Sequence, residues 1–248
     1  MDKQEVIFKD LGIIDYKTAW DYQETLLQQN VQVKSAIRNL QQETIEAVSE
    51  GLTANPKPQT VNYFLFCEHP PVYTLGKSGK IEHVLMNETE LAASNIQFFN
   101  TNRGGDITFH GLQQVVGYPI IDLENFYTDI GRYLRNLEEV IILTIAEYGI
   151  KGERSSGETG VWIEPGIKGK ERKICAIGVR CSRWITMHGF ALNVNTDLAY
   201  FNNIVPCGIQ NKQVTSVEKE LGTAVDYSLI KEKIKKNFEK VFEVQMID

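Results

Sequence analysis

The sequence is poor in the residues that would hold a metal ion or a disulfide framework. Four cysteines and four histidines are scattered over 248 residues, with neither a CxxC pair nor an HExxH motif among them. A structural zinc site is therefore not expected, and the scattered thiols are typical of a reduced, cytoplasmic protein. The cysteines lie at positions 67, 175, 181 and 207, and the histidines at 69, 83, 110 and 188.

An excess of positive charge and long apolar runs are also missing. Basic residues number 26 against 32 acidic ones, which gives a formal charge of −6. This balance offers no overall attraction to nucleic acid or to an anionic membrane, and we expect neither as a partner. The longest apolar run, around Val140 to Ala146, is far shorter than the ~20 residues of a membrane helix. No apolar signal core follows the first residues.

What remains is an ordinary globular composition, 42% hydrophobic and 23% charged, without repeats or an internal linker. It predicts one domain over residues 1–248. Apolar residues at helical spacing from 18 to 52 predict one long helix, or two helices broken near Asn30. With the stop signals after Gly51, the helical N-terminal region extends over about residues 18–58. We interpret it as an amphipathic cover on a sheet rather than a partner-binding coil, because its apolar stripe is not a sustained heptad.

Short segments rich in β-branched and aromatic residues predict the strands. Val61 to Cys67 has the composition of a strand that is buried on both faces. Gly117 and Pro119, inside the segment Val115 to Ile121, indicate an edge strand or a bulge. The other predicted strands are Val72 to Leu75, Ile96 to Asn100, Val161 to Glu164, Lys173 to Val179 and Trp184 to Asn193.

Two further helices are predicted, one from Phe126 to Tyr148 and one that begins near Asp226 or Ser228. Strands therefore come in groups that three helices separate, rather than in strict alternation with helices. This order predicts an α+β fold, with a mixed, mostly antiparallel sheet and helices packed on its faces.

Three segments carry side chains suited to chemistry. The first, residues 103–114, places Arg103 and His110 around a Gly-Gly pair, which allows close backbone approach to a ligand but also suits a plain turn. In the second, residues 172–178, strand geometry puts Lys173, Cys175 and Ile177 on one face. A strand-end lysine that reaches solvent is the alternative. The third, residues 204–209, places Cys207 between proline and glycine in a turn, where the alternative is a small, inert thiol.

Five motifs follow one another between about residues 61 and 210. They are Arg-Gly-Gly-x-x-Thr-x-His at 103–110, Gly-Val-Trp at 160–162, Lys-Ile-Cys-Ala-Ile-Gly at 173–178, His-Gly-Phe-Ala-Leu-Asn at 188–193 and Pro-Cys-Gly at 206–208. In order and spacing they resemble the octanoyltransferases, also called lipoate-protein ligase B or lipoyl(octanoyl) transferases. The segments 68–76 and 82–85 are similar to that family too. The resemblance implies the fold of the biotin/lipoate protein ligase catalytic domain.

The resemblance also implies a two-step acyl transfer that needs no cofactor and no metal. Cys207 would be the nucleophile that holds the octanoyl group as a thioester, and Lys173 would lower the pKa of its thiol and act as general acid and base. The acyl group would then pass to a lysine amine, the first step of endogenous lipoate biosynthesis. The residues implied to bind substrate are Arg103, Gly104, Gly105, Asp106, Ile107, Thr108, Phe109, His110, Ala176, Ile177, Gly178, Gly189, Phe190 and Ala191.

The partners implied by the family are proteins. Octanoyl-acyl carrier protein would be the donor, and the lipoyl domains of 2-oxoacid dehydrogenases and the glycine cleavage H protein would be the acceptors. We expect the enzyme to be a monomer. Carrier domains are acidic, as is this chain, so attraction needs a local basic face. Six basic residues against one acidic residue between Lys168 and Arg183 suggest a docking surface there, with a merely solvated hairpin as the alternative.

The chain departs from the family pattern after His110, where it has Leu112 and Gln113 in place of the usual Pro-Gly. Three other functions compete with acyl transfer. An ATP-dependent lipoate or biotin ligase would need no nucleophilic Cys207. A cysteine hydrolase would use His110 or His188 as its base. A non-catalytic module would bind carrier domains without becoming acylated.

Overall fold

The computed structural model describes residues 3–47, 59–205 and 213–248. These ranges contain twelve strands and five α-helices. The helices are α1 (Tyr16–Ala47), α2 (Glu88–Ala93), α3 (Ile130–Ala146), α4 (Val217–Leu221) and α5 (Tyr227–Phe242). The strands are β1 (Gln4–Ile13), β2 (Asn62–Glu68), β3 (Val72–Leu75), β4 (Gln97–Asn100), β5 (Ile107–His110), β6 (Gln114–Ile120), β7 (Glu153–Ser155), β8 (Glu158–Ile163), β9 (Arg172–Ser182), β10 (Ile185–Asn193), β11 (Gln213–Val214) and β12 (Val244–Ile247).

The described strands form two sheets. The larger sheet has the order β12-β1-β2-β6-β10-β9-β8-β7, and β11 pairs with β9 beside it. Its strands from β2 to β7 in that order are antiparallel neighbours, whereas β1 is parallel to both β12 and β2. The smaller sheet has the order β4-β3-β5. The predicted α+β class with a mixed, mostly antiparallel sheet is confirmed.

Helices cover both faces of the larger sheet. The buried side chains of α3 and α5 join those of β2 and β10 in the main hydrophobic core, and α1 packs with β6 and β10 in a second core. The smaller sheet has its own core with α2 and the turn that follows β10. Aspartates cap α3 and α5, because the side chains of Asp129 and Asp226 accept hydrogen bonds from main-chain N–H groups of the first turn.

Helix α1 continues past Asn30 without a break. Of the two alternatives that the sequence allowed, one long helix or two helices broken near Asn30, the structure shows the first. Asn30 is buried, and its side chain points away from the helix axis to the chain before β2. Its Nδ2 donates to the carbonyl of Val61 at 2.8 Å, and its Oδ1 accepts from the main-chain N–H of Val61 at 2.8 Å. The amide is therefore satisfied by a neighbouring segment and does not compete for the helix's own hydrogen bonds. The predicted extension to residue 58 lies outside the described residues.

The prediction of an edge strand or bulge at Val115 to Ile121 was wrong, because β6 lies between β2 and β10 in the middle of the sheet. Gly117 makes room for a ring, since a β-carbon there would lie 2.3 Å from Phe190. Pro119 is tolerated because the ladder from β6 to β10 is registered only as far as Gly117. Strands β1, β5, β7, β11 and β12 and helices α2 and α4 were not predicted. Within the described ranges, no helix is long and apolar enough to cross a lipid bilayer.

Candidate active site

A cavity of ≈ 570 Å³ opens between the larger sheet and strand β5 of the smaller one. Its walls come from the loop 103–106, from β5, and from the middles of β9 and β10, with Tyr16 of α1 at one end. The Arg-Gly-Gly motif is in direct contact with β9 here, since the N–H of Gly104 donates to the carbonyl of Val179, one residue after the Lys-Ile-Cys-Ala-Ile-Gly motif, at 2.9 Å. Ala176 and Ala191 are cross-strand partners on β9 and β10, and both line the cavity.

The structure brings most of the expected substrate-binding residues onto this cavity. Phe109 does not line it; its ring is stacked on Tyr200 at 4.5 Å in the core of the smaller sheet. Lys173 lines the cavity, and Cys207 lies outside the described residues. The expected residues on the cavity are Arg103, Gly104, Gly105, Asp106, Ile107, Thr108, His110, Ala176, Ile177, Gly178, Gly189, Phe190 and Ala191.

Arg103 fixes the loop that closes one side of the cavity. Its Nη2 donates to the carbonyl of Thr74 at 2.6 Å and to the hydroxyl of Thr74 at 2.9 Å. Its Nη1 donates to the carbonyl of Gly104 at 3.0 Å. The planar guanidinium thus joins β3 to the Gly-Gly turn, and a lysine could not satisfy these three acceptors with the same geometry. Arg103 therefore holds the cavity wall together and also lines the cavity.

A buried chain of hydrogen bonds runs below the cavity from His110 towards β11. His110 Nδ1 lies 2.9 Å from Gln114 Oε1, and because an amide oxygen only accepts, the ring nitrogen donates. Gln114 Nε2 donates to Asn193 Oδ1 at 2.8 Å. Asn193 Nδ2 donates to the carbonyl of Thr215 at 2.9 Å, next to β11. These hydrogen bonds connect β5, β6 and β10 to the segment beside Lys173.

The histidines around this network are neutral. Burial, together with the charges of Arg103 and Arg180, lowers the pKa of His188 to about 3. Burial also holds the pKa of His110 well below its usual range, and neighbouring His69 and Arg103 act in the same direction. A general base for hydrolysis works best with a pKa near the operating pH. His110 and His188 do not meet that requirement.

Lys173 has its main chain fixed on both sides. It is registered with Trp162 of β8 on one side and with Val214 of β11 on the other, and its carbonyl accepts from Thr215 N–H at 3.0 Å. The ladder from β8 to β9 is irregular between Val161 and Trp162. This irregularity breaks the predicted alternation, and the expectation that Lys173 and Cys175 share a face was wrong.

Cys175 is buried in the main core, together with its neighbour Ile174, while Lys173 and Ala176 line the cavity. Burial raises the pKa of the Cys175 thiol, and it raises that of Cys67 well above the usual range. These two thiols pack as small apolar side chains, as the sequence suggested. The half-buried Cys181 also has a raised pKa, chiefly through burial.

The described residues on either side of Cys207 are tied to the site. Val205 N–H donates to the carbonyl of His83 at 2.8 Å, and His83 Nδ1 is hydrogen-bonded to the carboxylate of Asp106, in the cavity wall, at 2.9 Å. On the other side, β11 begins at Gln213, six residues after Cys207, and both of its residues line the cavity. The chain therefore leaves the smaller sheet before Cys207 and returns beside Lys173 after it.

The turn that departs from the family pattern has a defined conformation. Gln113 has a φ of 59°, which is the left-handed region that glycine takes without strain. Its N–H donates to Glu68 Oε2 at 2.6 Å, and its carbonyl accepts from Val194 and Asn195. The backbone at this position is thus compatible with the glycine that the family has there.

The basic segment that begins at Lys168 is partly neutralised. Arg172 forms salt bridges with Glu164 at 2.5 Å and Glu220 at 2.6 Å. Arg180 pairs with Glu24 at 2.7 Å. The exposed positive charge of the hairpin is carried by Lys168 and Lys170, at its tip.

Several residues of the cavity were not singled out from the sequence. Tyr16 comes from the start of α1, and its buried ring stacks on His110 with centroids 5.8 Å apart. Trp162 belongs to the Gly-Val-Trp motif but was given no role. Gln114 ends the segment 103–114, just before the predicted strand Val115 to Ile121, while Tyr118 and Asn193 reach the cavity from predicted strands; none of the three was given a role. Polar side chains inside otherwise apolar strands are the sequence signal that points to the last three.

Comparisons with known proteins agree with this architecture. The lipoyl protein ligase A/B catalytic domain family model matches residues 15–239. An octanoyltransferase of Christiangramia forsetii is 54% identical over 244 residues, which cover 98% of each chain. One of Flavobacterium psychrophilum is 55% identical over 240 residues, covering 96% of this chain and 97% of the relative.

Among solved structures, a bi-partite lipoate protein ligase of Thermoplasma acidophilum superposes with a TM-score of 0.64 at 14% identity, covering 100% of this chain and 87% of that one. A lipoate-protein ligase A bound with ATP gives a TM-score of 0.63 at 12% identity, covering 100% of this chain and 90% of that one. At these identities the similarity concerns the fold alone.

The fold that the resemblance implied is confirmed, and the protein is an acyltransferase built on a lipoate protein ligase catalytic domain. Within that class, the chain belongs to the octanoyltransferase family.

Proposed function

We propose that this chain takes an octanoyl group from acyl carrier protein, holds it as a thioester on Cys207 and passes it to a lysine of a lipoyl domain. The product is an amide, and the reaction is the first step of endogenous lipoate biosynthesis. The acceptors are the lipoyl domains of 2-oxoacid dehydrogenases and the glycine cleavage H protein. The chain acts as one catalytic domain and as a monomer in the cytoplasm.

The observation that carries the proposal is the position of Lys173. It lines the cavity formed by the motif segments, and its strand is paired with β11, which begins six residues after Cys207. Covalent connectivity alone keeps Cys207 within about 21 Å of Gln213, since a chain spans at most about 3.5 Å per residue. This limit leaves Cys207 within reach of Lys173, although 34 positions separate the two in the sequence, and that supports the proposal.

The chemistry needs both side chains. The thiolate is the nucleophile, and a nearby cation favours it over the thiol, so the ammonium of Lys173 prepares Cys207 for attack on the octanoyl thioester. Cys207 attacks the octanoyl carbonyl, the bond to the carrier's sulfur breaks, and Lys173 gives its proton to the departing thiolate, so the carrier's thiol leaves and Lys173 is left neutral. This thioester exchange is nearly balanced. In the second step Lys173 accepts a proton from the incoming amine, which attacks the acyl group and releases Cys207. Conversion of a thioester to an amide runs downhill, so neither step needs ATP.

Three competing functions are less well supported by the site. A cysteine hydrolase needs a histidine base, and burial holds the pKa of both His110 and His188 far below neutral pH. An ATP-dependent ligase needs no cysteine at the position of Cys207. A binding module that is never acylated would have no use for Lys173 at the cavity.

Intact mass spectrometry tests the proposal. Purified protein is mixed with octanoyl-acyl carrier protein, without ATP and without acceptor, alongside Cys207→Ala and a Cys181→Ala control. We expect one octanoyl adduct that hydroxylamine removes, present in Cys181→Ala and absent in Cys207→Ala. Addition of a lipoyl domain should then discharge the adduct onto one lysine. A wild-type protein that stays unmodified, or an adduct that requires ATP, contradicts the proposal.

A further inference from the structure

Trp162 makes a specific contact with Lys173. The Lys173 Nζ lies over the indole ring, 4.5 Å from its centroid. Trp162 is only 1% exposed, so its ring is enclosed by protein atoms. Both residues line the cavity, on neighbouring strands.

The irregularity in the ladder sets up this contact. Val161 is registered with Cys175, but the next residue, Trp162, is registered with Lys173. One extra residue of β9 is therefore accommodated between these two pairs, and Lys173 comes opposite the indole. A regular ladder would have placed Ile174 there.

Gly160 provides the space for the lysine stem. It has a φ of 122°, and a β-carbon there would lie 2.6 Å from the carbonyl of Cys175 and 3.5 Å from Lys173 Cε. The N–H of Gly160 donates to the buried carboxylate of Glu138 at 3.0 Å, and Arg154 pairs with that carboxylate. The start of β8 is thus anchored to α3, and Lys173 lies across it.

An indole face attracts an ammonium because the face of the ring carries the negative part of its quadrupole. Lysine is otherwise a flexible four-carbon stem with a strongly hydrated charge, and it has no preferred direction of its own. The other charged side chains on the described cavity lining are Arg103, Asp106 and Glu158. A catalytic cation in such a site needs a support that fixes its rotamer.

We propose that Trp162 is a positioning residue: its ring holds the ammonium of Lys173 in place on the cavity wall, so that Lys173 can act on the acyl-accepting thiol. This inference rests on the proposed function, because it assigns Trp162 a role through Lys173 and none through substrate. The Gly-Val-Trp motif then has one purpose, which is to shape and support the site of the lysine.

A double-mutant cycle tests the inference. Trp162→Phe and Trp162→Met are prepared in the wild-type chain and in Lys173→Met, and Cys207 acylation by a small octanoyl thioester is followed by intact mass over a range of pH. Trp162→Met should slow acylation about tenfold and move the pH midpoint upward, whereas Trp162→Phe keeps an aromatic face and should retain most of the rate. In Lys173→Met the tryptophan variants should cause no further loss.

The double-mutant cycle separates a role of Trp162 through Lys173 from a direct contact with the acyl chain or a role in filling space. If Trp162→Met slows acylation equally in the wild-type and Lys173→Met chains, the indole contacts the acyl chain or merely fills space, and the inference is overturned while the proposed function stands. If the wild type is not acylated at all, the proposed function fails first. Thermal unfolding of each variant reports whether it folds.

Should Trp162→Met not fold, site-specific incorporation of fluorinated tryptophans at position 162 replaces it. Fluorine withdraws charge from the ring face with little change in shape, so acylation should slow stepwise as fluorine atoms are added. Rates that do not change across the series would overturn the inference.

Discussion

Gly178 lies so close to Gly104 that a β-carbon at position 178 would be 2.6 Å from the Gly104 carbonyl oxygen and 3.3 Å from the Arg103 side chain. The contact joins two motifs that are more than seventy positions apart in the sequence. It holds the Gly-Gly turn against β9, so the distance between the cavity walls depends on main-chain atoms.

Substitution Gly178→Ala should therefore push the two walls apart. We expect the free energy of unfolding to fall by about 1–3 kcal/mol, as for other overpacked sites. Acylation by a small octanoyl thioester should slow at the same time. Gly166→Ala is the matched control, because a β-carbon there meets no atom within 4 Å. Denaturant unfolding and intact mass measure the two effects, and equal behaviour of both variants would refute the prediction.

The left-handed backbone at Gln113 makes a second prediction. Glycine takes this φ freely, so Gln113→Gly should change the free energy of unfolding by less than about 1 kcal/mol. A β-branched residue is poorly accommodated there, and Gln113→Val should destabilise by about 1–3 kcal/mol. Thermal unfolding compares the two at one site. A valine variant as stable as the glycine variant would contradict the conformation of the turn.

Stability should fall as the pH drops from 7 to 5. Burial lowers the pKa of His69 to about 4 and that of His188 to about 3, from 6.5 in an unfolded chain. Between those values the unfolded chain binds more protons than the folded one, so each such histidine lowers the free energy of unfolding by up to about 2 kcal/mol at pH 5. This stability is complete above pH 6.5 and is lost progressively below it.

The variant His188→Asn checks the cause of that pH dependence. Asparagine tolerates the left-handed φ of 57° at this position, so the backbone can keep its course. The variant removes one titrating group, and its free energy of unfolding should change less between pH 7 and 5 than that of the wild type. Urea titrations at pH 7 and pH 5 measure the free energy of unfolding of both proteins. If it changes equally between the two pH values in the variant and in the wild type, the histidine does not contribute.

The hairpin tip tests the docking of the donor. Charge reversal at Lys168 and Lys170 should raise the apparent KM for octanoyl-acyl carrier protein about tenfold and leave the reaction with a small thioester unchanged. The matched control reverses Lys236 and Lys240, two exposed residues of α5. Higher salt should reduce the difference between the carrier and the small thioester. An unchanged KM for the hairpin variant would exclude this surface as the docking site.

The sequence predicts a helix or strand correctly where a single local pattern in a short segment determines it. The strand Val72–Leu75 and the helix capped by Asp226 need only local composition and a cap. Strand β1 was missed because only Val6 among its ten residues is buried, so it lacks an apolar pattern. The central position of β6 depends on the ring of Phe190 over Gly117, a contact between distant segments.

The site follows the same division. The motifs pointed to the segments that line the cavity, but the alternation of side chains along β9 placed Cys175 on the wrong face. The irregular ladder at Trp162 accommodates one extra residue of β9, and no sequence pattern indicates it. The contact between Trp162 and Lys173 arises from that same irregularity. The network through Gln114 and Asn193 joins three strands and becomes visible only when the sheet is assembled.

The pairing of Ala176 with Ala191 has a practical consequence for engineering. Main-chain contacts such as that of Gly104 with Val179 hold the cavity wall together, while these two methyl groups lie side by side on one face of the sheet and line the cavity. The side chains that line the cavity can therefore be changed independently of the main-chain contacts that hold its wall. Under the proposed function, a larger side chain at either position should leave less room for the acyl chain, so variants that accept shorter acyl chains can be sought at these two positions.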